Sequence, residues 1–116
     1  LCGDDFYVWS GNDDQTVPMM ALGAKGVISV VANVAPKLMV DMTHLCLAGD
    51  YASASKLQIE NMDFIDSLFL EVNPIPVKAA MNLIGMEAGG LRLPLCDISD
   101  KNLETLRQAM QRAGLL

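Results

Sequence analysis

Gly26 to Val34, GVISVVANV, limits what this chain can fold into more than any other stretch. It is short, apolar and rich in β-branched residues, with an alanine–proline step after it. Such a run predicts a strand buried on both faces, of the kind found in parallel sheets. A second strand-like stretch, Phe6–Ser10 (FYVWS), lies upstream. Its aromatic and β-branched residues suit a pleated surface. Between the two, Gly11-Asn12-Asp13-Asp14 makes a turn, and Asp13 or Asp14 is placed to cap a helix at a free backbone N–H. Val17, Met20 and Ala21 then recur at helical spacing until Gly23. Strand, short helix and strand with tight loops predict a right-handed parallel βαβ unit.

No further strand is predicted after Val34. Pro36 suits the first turn of a helix, with Leu38, Met42 and Leu45 on one face, Met39 and Cys46 beside them, and Gly49 as the stop. A second helix is expected from about Tyr51 to Phe69, carrying Ala54, Leu57, Met62, Ile65 and Leu68. Pro74 and Pro76 predict an extended entry to a helix with Val77, Ala80, Met81 and Ile84 aligned, ending at Gly85. Leu91–Leu95 (LRLPL) contains a proline and reads as an extended link. Ser99 is a cap for a last helix whose stripe is Leu103, Leu106, Met110 and Ala113, ended by Gly114. Residues 1–5 read as a helix tail turning at Gly3. Two parallel strands do not make a stable sheet alone. The expected architecture is therefore the end of a larger α/β domain over roughly the first 35 residues, with a helical extension after it.

With 116 residues, 52% of them hydrophobic, the chain is rich in apolar surface for its size, and part of that surface is expected to meet something outside it. The net charge of −6, from 8 basic and 14 acidic residues, argues against a nucleic-acid or anionic-membrane partner. No apolar run approaches the roughly 18 residues of a membrane span. The chain opens on Leu1 without a signal or transit pattern, which reads as an N-terminus that has been removed. Cys2, Cys46 and Cys96 lie far apart, without metal-ligand spacing, and are expected to be reduced, buried thiols of a cytoplasmic protein.

Chemistry is expected at the loop that follows the first strand, since α/β folds build sites at the carboxyl ends of strands. Gly11 would let a ligand approach the backbone there, although a plain glycine turn with a helix cap accounts for the same residues. The acid pair has no histidine companion, so no metal is expected. Gly23-Ala24-Lys25-Gly26 precedes a strand rather than a helix and is not a phosphate loop. His44, beside an apolar stripe, reads as an ordinary surface or half-buried histidine. Trp9 and Tyr7 read as core, and the eight methionines as adaptable packing. A Schiff-base lysine needs a desolvated site. Lys25 falls in a turn, and Lys37, Lys56, Lys78 and Lys101 fall on or at the ends of helices, so none is expected to be such a lysine.

GVISVVANV, ENMDFIDSLFLEVNPIPVKAAMNLIG, LRLPLCDIS and the terminal RAGLL together closely resemble the dihydrodipicolinate synthase family of pyruvate-dependent class I aldolases. The resemblance spans essentially the whole chain. It implies a (β/α)8 TIM barrel with a C-terminal helical extension, this chain holding the last two strands with their helices over residues 1–49 and the extension over 50–116. It implies a lyase that condenses pyruvate with L-aspartate 4-semialdehyde in lysine and diaminopimelate biosynthesis. The pyruvate is held as a Schiff base on a lysine outside this chain, a tyrosine relay lies there too, and no separate cofactor is needed. Ile28 matches a strand-eight residue whose backbone lines the pyruvate site, and Gly11 a glycine beside the Schiff base. Ser10 and Asp13 share that loop, and Asn73 and Pro74 match a turn near the site entrance. Asn12 stands where many members have Asp, so a charge-dependent role does not carry over. The rest of its own barrel is the nearest partner, with a homotetramer or homodimer when complete. The chain alone should be inactive. An N-acetylneuraminate lyase or keto-deoxy-sugar aldolase of the same superfamily is one alternative. A non-enzymatic helical association module is another.

Overall fold

The computed structural model describes Gly3 and residues 5–116. The expected helix tail at residues 1–5 lies largely outside the described residues, and Cys2 lies outside them altogether. The two expected strands reduce to one parallel bridge between Ser10 and Val27. Three backbone bonds frame it: Lys25 N–H to Val8 O at 2.9 Å, Ser10 N–H to Gly26 O at 2.9 Å, and Ile28 N–H to Ser10 O at 2.8 Å. The β-branched run does not continue as a strand, because Val31–Asn33 is a 3-10 turn. The backbone N–H groups of Val30 and Ala32 are taken by the side chains of Asp13 and Ser29 instead of by a neighbouring strand. Nor is the run buried on both faces: Val31 is fully buried while Ile28 is 72% exposed.

Phe6, Tyr7, Val8 and Trp9 are likewise exposed among the described residues, against the expectation that they form core. A ribbon with a partner along one side only has no second layer to cover its apolar side chains. Trp9 does make one close contact. Its ring lies against Gly26, where an added Cβ would sit 2.7 Å from Trp9 Cζ3.

The rest of the described chain is mostly helical. α1 is Thr16–Ala21, following a 3-10 turn over Asp13–Gln15. α2 is Pro36–Leu47, with the proline in its first turn as expected. Its buried residues are Met39, Met42 and Cys46, so the inward stripe is rotated from the predicted one, and Leu38 and Leu45 lie at its edges, partly buried. The single long helix expected next is two, α3 Tyr51–Glu60 and α4 Met62–Ser67, divided at Asn61. The Asn61 amide donates to the carbonyl of Leu57 at 2.9 Å, the kind of local side-chain bond that competes with helix continuation. α3 is capped by Asp50, whose carboxylate accepts from Ser53 N–H at 3.0 Å. α5, Ile75–Leu83, begins earlier than the two prolines suggested. Pro76 sits in its first turn, where its missing N–H costs no helical bond. α6 is Asp100–Arg112, and the 91–95 segment is an irregular link.

α2 packs against α1 and α3, and α6 against α4 and α5. Phe64, Met42, Ile65, Leu68, Leu106, Met110 and Val31 are all but inaccessible at their junction. Burial of this kind stabilises strongly, since truncating a core Phe to Ala typically costs about 3–5 kcal/mol. Cys46 belongs to this core, and burial raises its thiol pKa above the ordinary value. Cys96 is exposed, which corrects the expectation of buried thiols for that position. His44 is exposed on α2. No helix of the described residues is long and apolar enough to cross a membrane.

Candidate active site

The turn after the bridge is shaped by Ser10. This residue is fully buried, and its hydroxyl donates to Asn12 O at 2.7 Å and accepts from Asn12 N–H at 3.2 Å. The local loop this makes reverses the chain and leaves Gly11 exposed at its tip.

Asp13 comes next and is also fully buried. It was expected to cap α1, as was Asp14, but neither carboxylate does so among the described contacts. One Asp13 oxygen, Oδ1, accepts from the Ser29 hydroxyl, and Oδ2 accepts from Val30 N–H at 3.0 Å. Ser29 Oγ in turn accepts from Ala32 N–H at 2.8 Å. The Asp13 carboxylate thus crosses from the first loop to the second and holds the chain just beyond Ile28. Its own carbonyl accepts from the Thr16 hydroxyl at 2.8 Å.

The start of α1 is served from elsewhere. Gln58 of α3 accepts from Val17 N–H at 3.0 Å, and its amide nitrogen donates to the carbonyl of Asp14. Tyr51, at the head of α3, donates its hydroxyl hydrogen to Met20 O at 3.0 Å, near the end of α1. The loop from Gly11 to Val17 is therefore fastened on one side to the Ser29–Val30 segment and on the other to α3.

The exposed surface of this assembly is a cleft of about 450 Å³, whose walls include Gly11, Ile28, Asn33, Asn73, Lys78 and Met81. Four residues picked out in the sequence, Gly11, Ile28, Asn73 and Pro74, meet there. The other two, Ser10 and Asp13, do not line the cleft but lie behind it. Sequence reasoning passed over Ser29 and Gln58, and weighed Lys78 only as a Schiff-base lysine without placing it at the cleft. For Ser29 the signal was a lone hydroxyl inside an apolar run. For Lys78 the signal was its place one helical turn after Pro74. The Lys78 amine donates to the carbonyl of Gly90.

The Asn73 side of the cleft is braced by Glu71. Its Oε1 accepts from Asn102 Nδ2 at 2.8 Å, Ser99 N–H at 3.0 Å and Ser99 Oγ at 2.8 Å. These bonds, the one from Asn102 foremost, hold the Glu71 carboxyl below its ordinary pKa. Ser99 occupies the N-cap position of α6 but makes no capping bond with its side chain. Its hydroxyl goes to Glu71 instead, which joins the turn before α5 to the head of α6.

Residues 1–113 match the sequence profile of the Dihydrodipicolinate synthetase family. The chain is 53% identical over 111 residues to the 4-hydroxy-tetrahydrodipicolinate synthase of Clostridium novyi (strain NT), covering 96% of this chain and 38% of that protein. It is 51% identical over 116 residues to the enzyme of the same name from Acetivibrio thermocellus, covering 100% of this chain and 40% of that one. The crystal structure of dihydrodipicolinate synthase from Thermotoga maritima superposes with a TM-score of 0.93 at 46% identity, over 97% of this chain and 38% of that structure. The match thus spans about two-fifths of each relative, which fits a fragment of an α/β barrel enzyme. The extent of the match does not carry the expected placement at the carboxyl-terminal end. Profile, identity and superposition agree along nearly the whole length, and the chain belongs to the dihydrodipicolinate synthetase family.

Proposed function

We propose that this chain is the part of a 4-hydroxy-tetrahydrodipicolinate synthase that supplies one wall of its keto-acid site. The observation that carries this reading is the cleft at which Gly11, Ile28 and Asn73 converge. In the complete enzyme, pyruvate condenses with the amine of a lysine outside this segment, with loss of water, to form a Schiff base. Loss of a methyl proton gives the enamine. Its carbon attacks the aldehyde of L-aspartate 4-semialdehyde, and the amine of that substrate then attacks the Schiff-base carbon, which closes the ring and expels the lysine amine. Ile28 contributes backbone beside the bound keto acid, Gly11 gives room for close approach, and Asn73 stands at the entrance. Ser10 and Asp13 support these positions from behind.

The exposed ribbon Phe6–Trp9 and the exposed Ile28 support a second part of the proposal. The paired segments are two adjacent staves of a barrel whose other staves cover them. Residues 1–49 then belong to the barrel and 50–116 to a helical extension. A cytoplasmic location and assembly as a homotetramer or homodimer belong to the same reading. The names of the curated relatives favour the synthase over the sugar-acid lyases of the superfamily.

The test is borohydride reduction of the complete enzyme in the presence of pyruvate, followed by peptide mapping. The adduct is expected on a lysine outside this segment. An adduct on Lys25, Lys37, Lys56, Lys78 or Lys101 would overturn the assignment, and Lys78 is the sharpest control because it lines the cleft.

A further inference from the structure

We infer that Asp13 is a positioning residue for keto-acid binding, acting through the backbone at Ile28. This rests on the function proposed above. Ile28 is held from both sides. On its amino side its N–H donates to Ser10 O at 2.8 Å. On its carboxyl side the next two residues are gripped by the Asp13 carboxylate, Ser29 through its hydroxyl and Val30 through its backbone N–H at 3.0 Å. The Ser29 hydroxyl oxygen also receives Ala32 N–H at 2.8 Å, so the same contact fixes the first turn of the 3-10 segment.

Two features separate this carboxylate from a general structural contact. It is fully buried and spends both oxygens on the two residues that follow Ile28. Its loop also carries Gly11, which lines the same cleft as Ile28, Ser29 and Val30. The carboxylate therefore sets the distance between the two backbone walls of the cleft. An amide is a poorer substitute, because its oxygen can serve Val30 N–H but its nitrogen turns a donor toward the Ser29 hydroxyl, whose hydrogen then has no acceptor there, and the charge that strengthens both bonds is gone. With Asn at position 13, one of those two donors loses its acceptor and the Ile28 segment is free to relax. Misplacement of a binding group by a fraction of an ångström weakens binding of a small ligand without removing any reacting group.

The experiment uses the complete enzyme, with pyruvate as the probe and borohydride trapping as the readout. Wild type, Asp13→Asn and Ser29→Ala are compared for the pyruvate concentration that half-saturates trapping and for the trapping rate at saturation. Asp13→Asn is expected to raise the half-saturating concentration about tenfold and Ser29→Ala about threefold, with the saturated rate within about twofold of wild type. In the double variant the two effects should add only in part, because both remove the Asp13–Ser29 contact. Unchanged half-saturation in Asp13→Asn, with only a lower melting temperature, would make Asp13 plain scaffold and overturn the inference. If Asp13→Asn does not fold, Ser29→Ala decides alone by the same criterion. Failure of the wild-type enzyme to trap pyruvate at all strikes the function proposed above. Normal trapping with insensitive variants strikes only the role of Asp13.

Discussion

Gln58 and Val17 are joined across 41 residues of chain, the Gln58 side-chain oxygen accepting the Val17 N–H at 3.0 Å. Val17 lies in the first turn of α1, where backbone N–H groups have no partner within the helix. The Gln58 amide also donates to Asp14 O. One side chain from α3 thus satisfies a donor and an acceptor at the site loop, and it is itself buried.

Replacing Gln58 by Leu keeps much of its bulk but leaves both backbone groups without partners. Each buried group left so costs about 1–3 kcal/mol. Gln58→Leu should therefore destabilise the protein by roughly 2–6 kcal/mol. Gln58→Glu should also destabilise, because it retains the acceptor for Val17 but turns a carboxylate oxygen toward the Asp14 carbonyl. Urea unfolding of the complete enzyme measures both. A midpoint unchanged in Gln58→Leu would show that water replaces the side chain.

Glu71 makes a pH-dependent contribution whose sign is fixed by its bonds. Asn102 and Ser99 hold its folded-state pKa below the unfolded value. Its stabilising effect is then complete above the ordinary glutamate pKa and is lost as pH falls through the lowered one. Glu71→Gln should melt at a lower temperature than wild type at neutral pH, and the gap should close as the solution is acidified below the glutamate range. Melting curves over a pH series test this. A gap that widens toward acid would reverse the assignment.

The two thiols of the described residues should differ sharply in reactivity. Cys46 is buried in α2, and burial disfavours its thiolate. Cys96 is exposed in the link before α6. A maleimide or disulfide reagent should modify Cys96 in the native protein and reach Cys46 only after denaturation. Mass mapping of labelled peptides reads this directly, and early labelling of Cys46 would mean that the α2 core opens readily.

The helices were legible because punctuation and periodicity agreed. Pro36 and Gly49 bound α2, and Gly114 follows α6. The apparent strand at GVISVVANV was misleading for a physical reason. β-branched residues report that a segment suits a sheet, but strand geometry also needs neighbours. Here one neighbour supplies a single bridge, and Asp13 and Ser29 take the next backbone N–H groups into a turn. The site was half legible. Gly11 and Ile28 could be placed through resemblance, because glycine and a strand register leave marks in sequence. Gln58 could not, since a glutamine on a helix reads as solvent-facing and its partners lie 41 and 44 residues away.

The spacing of these ties gives the site a schedule during synthesis, because the chain leaves the ribosome from its amino end. Asp13 must wait 16 residues for Ser29, and Val17 must wait 41 for Gln58. Glu71 then waits a further 28 for Ser99. The loop that carries Gly11 can be clamped to the Ile28 segment early, but it gains its outer brace only once α3 has emerged. A nascent chain stalled between those two points would hold the loop by one side alone.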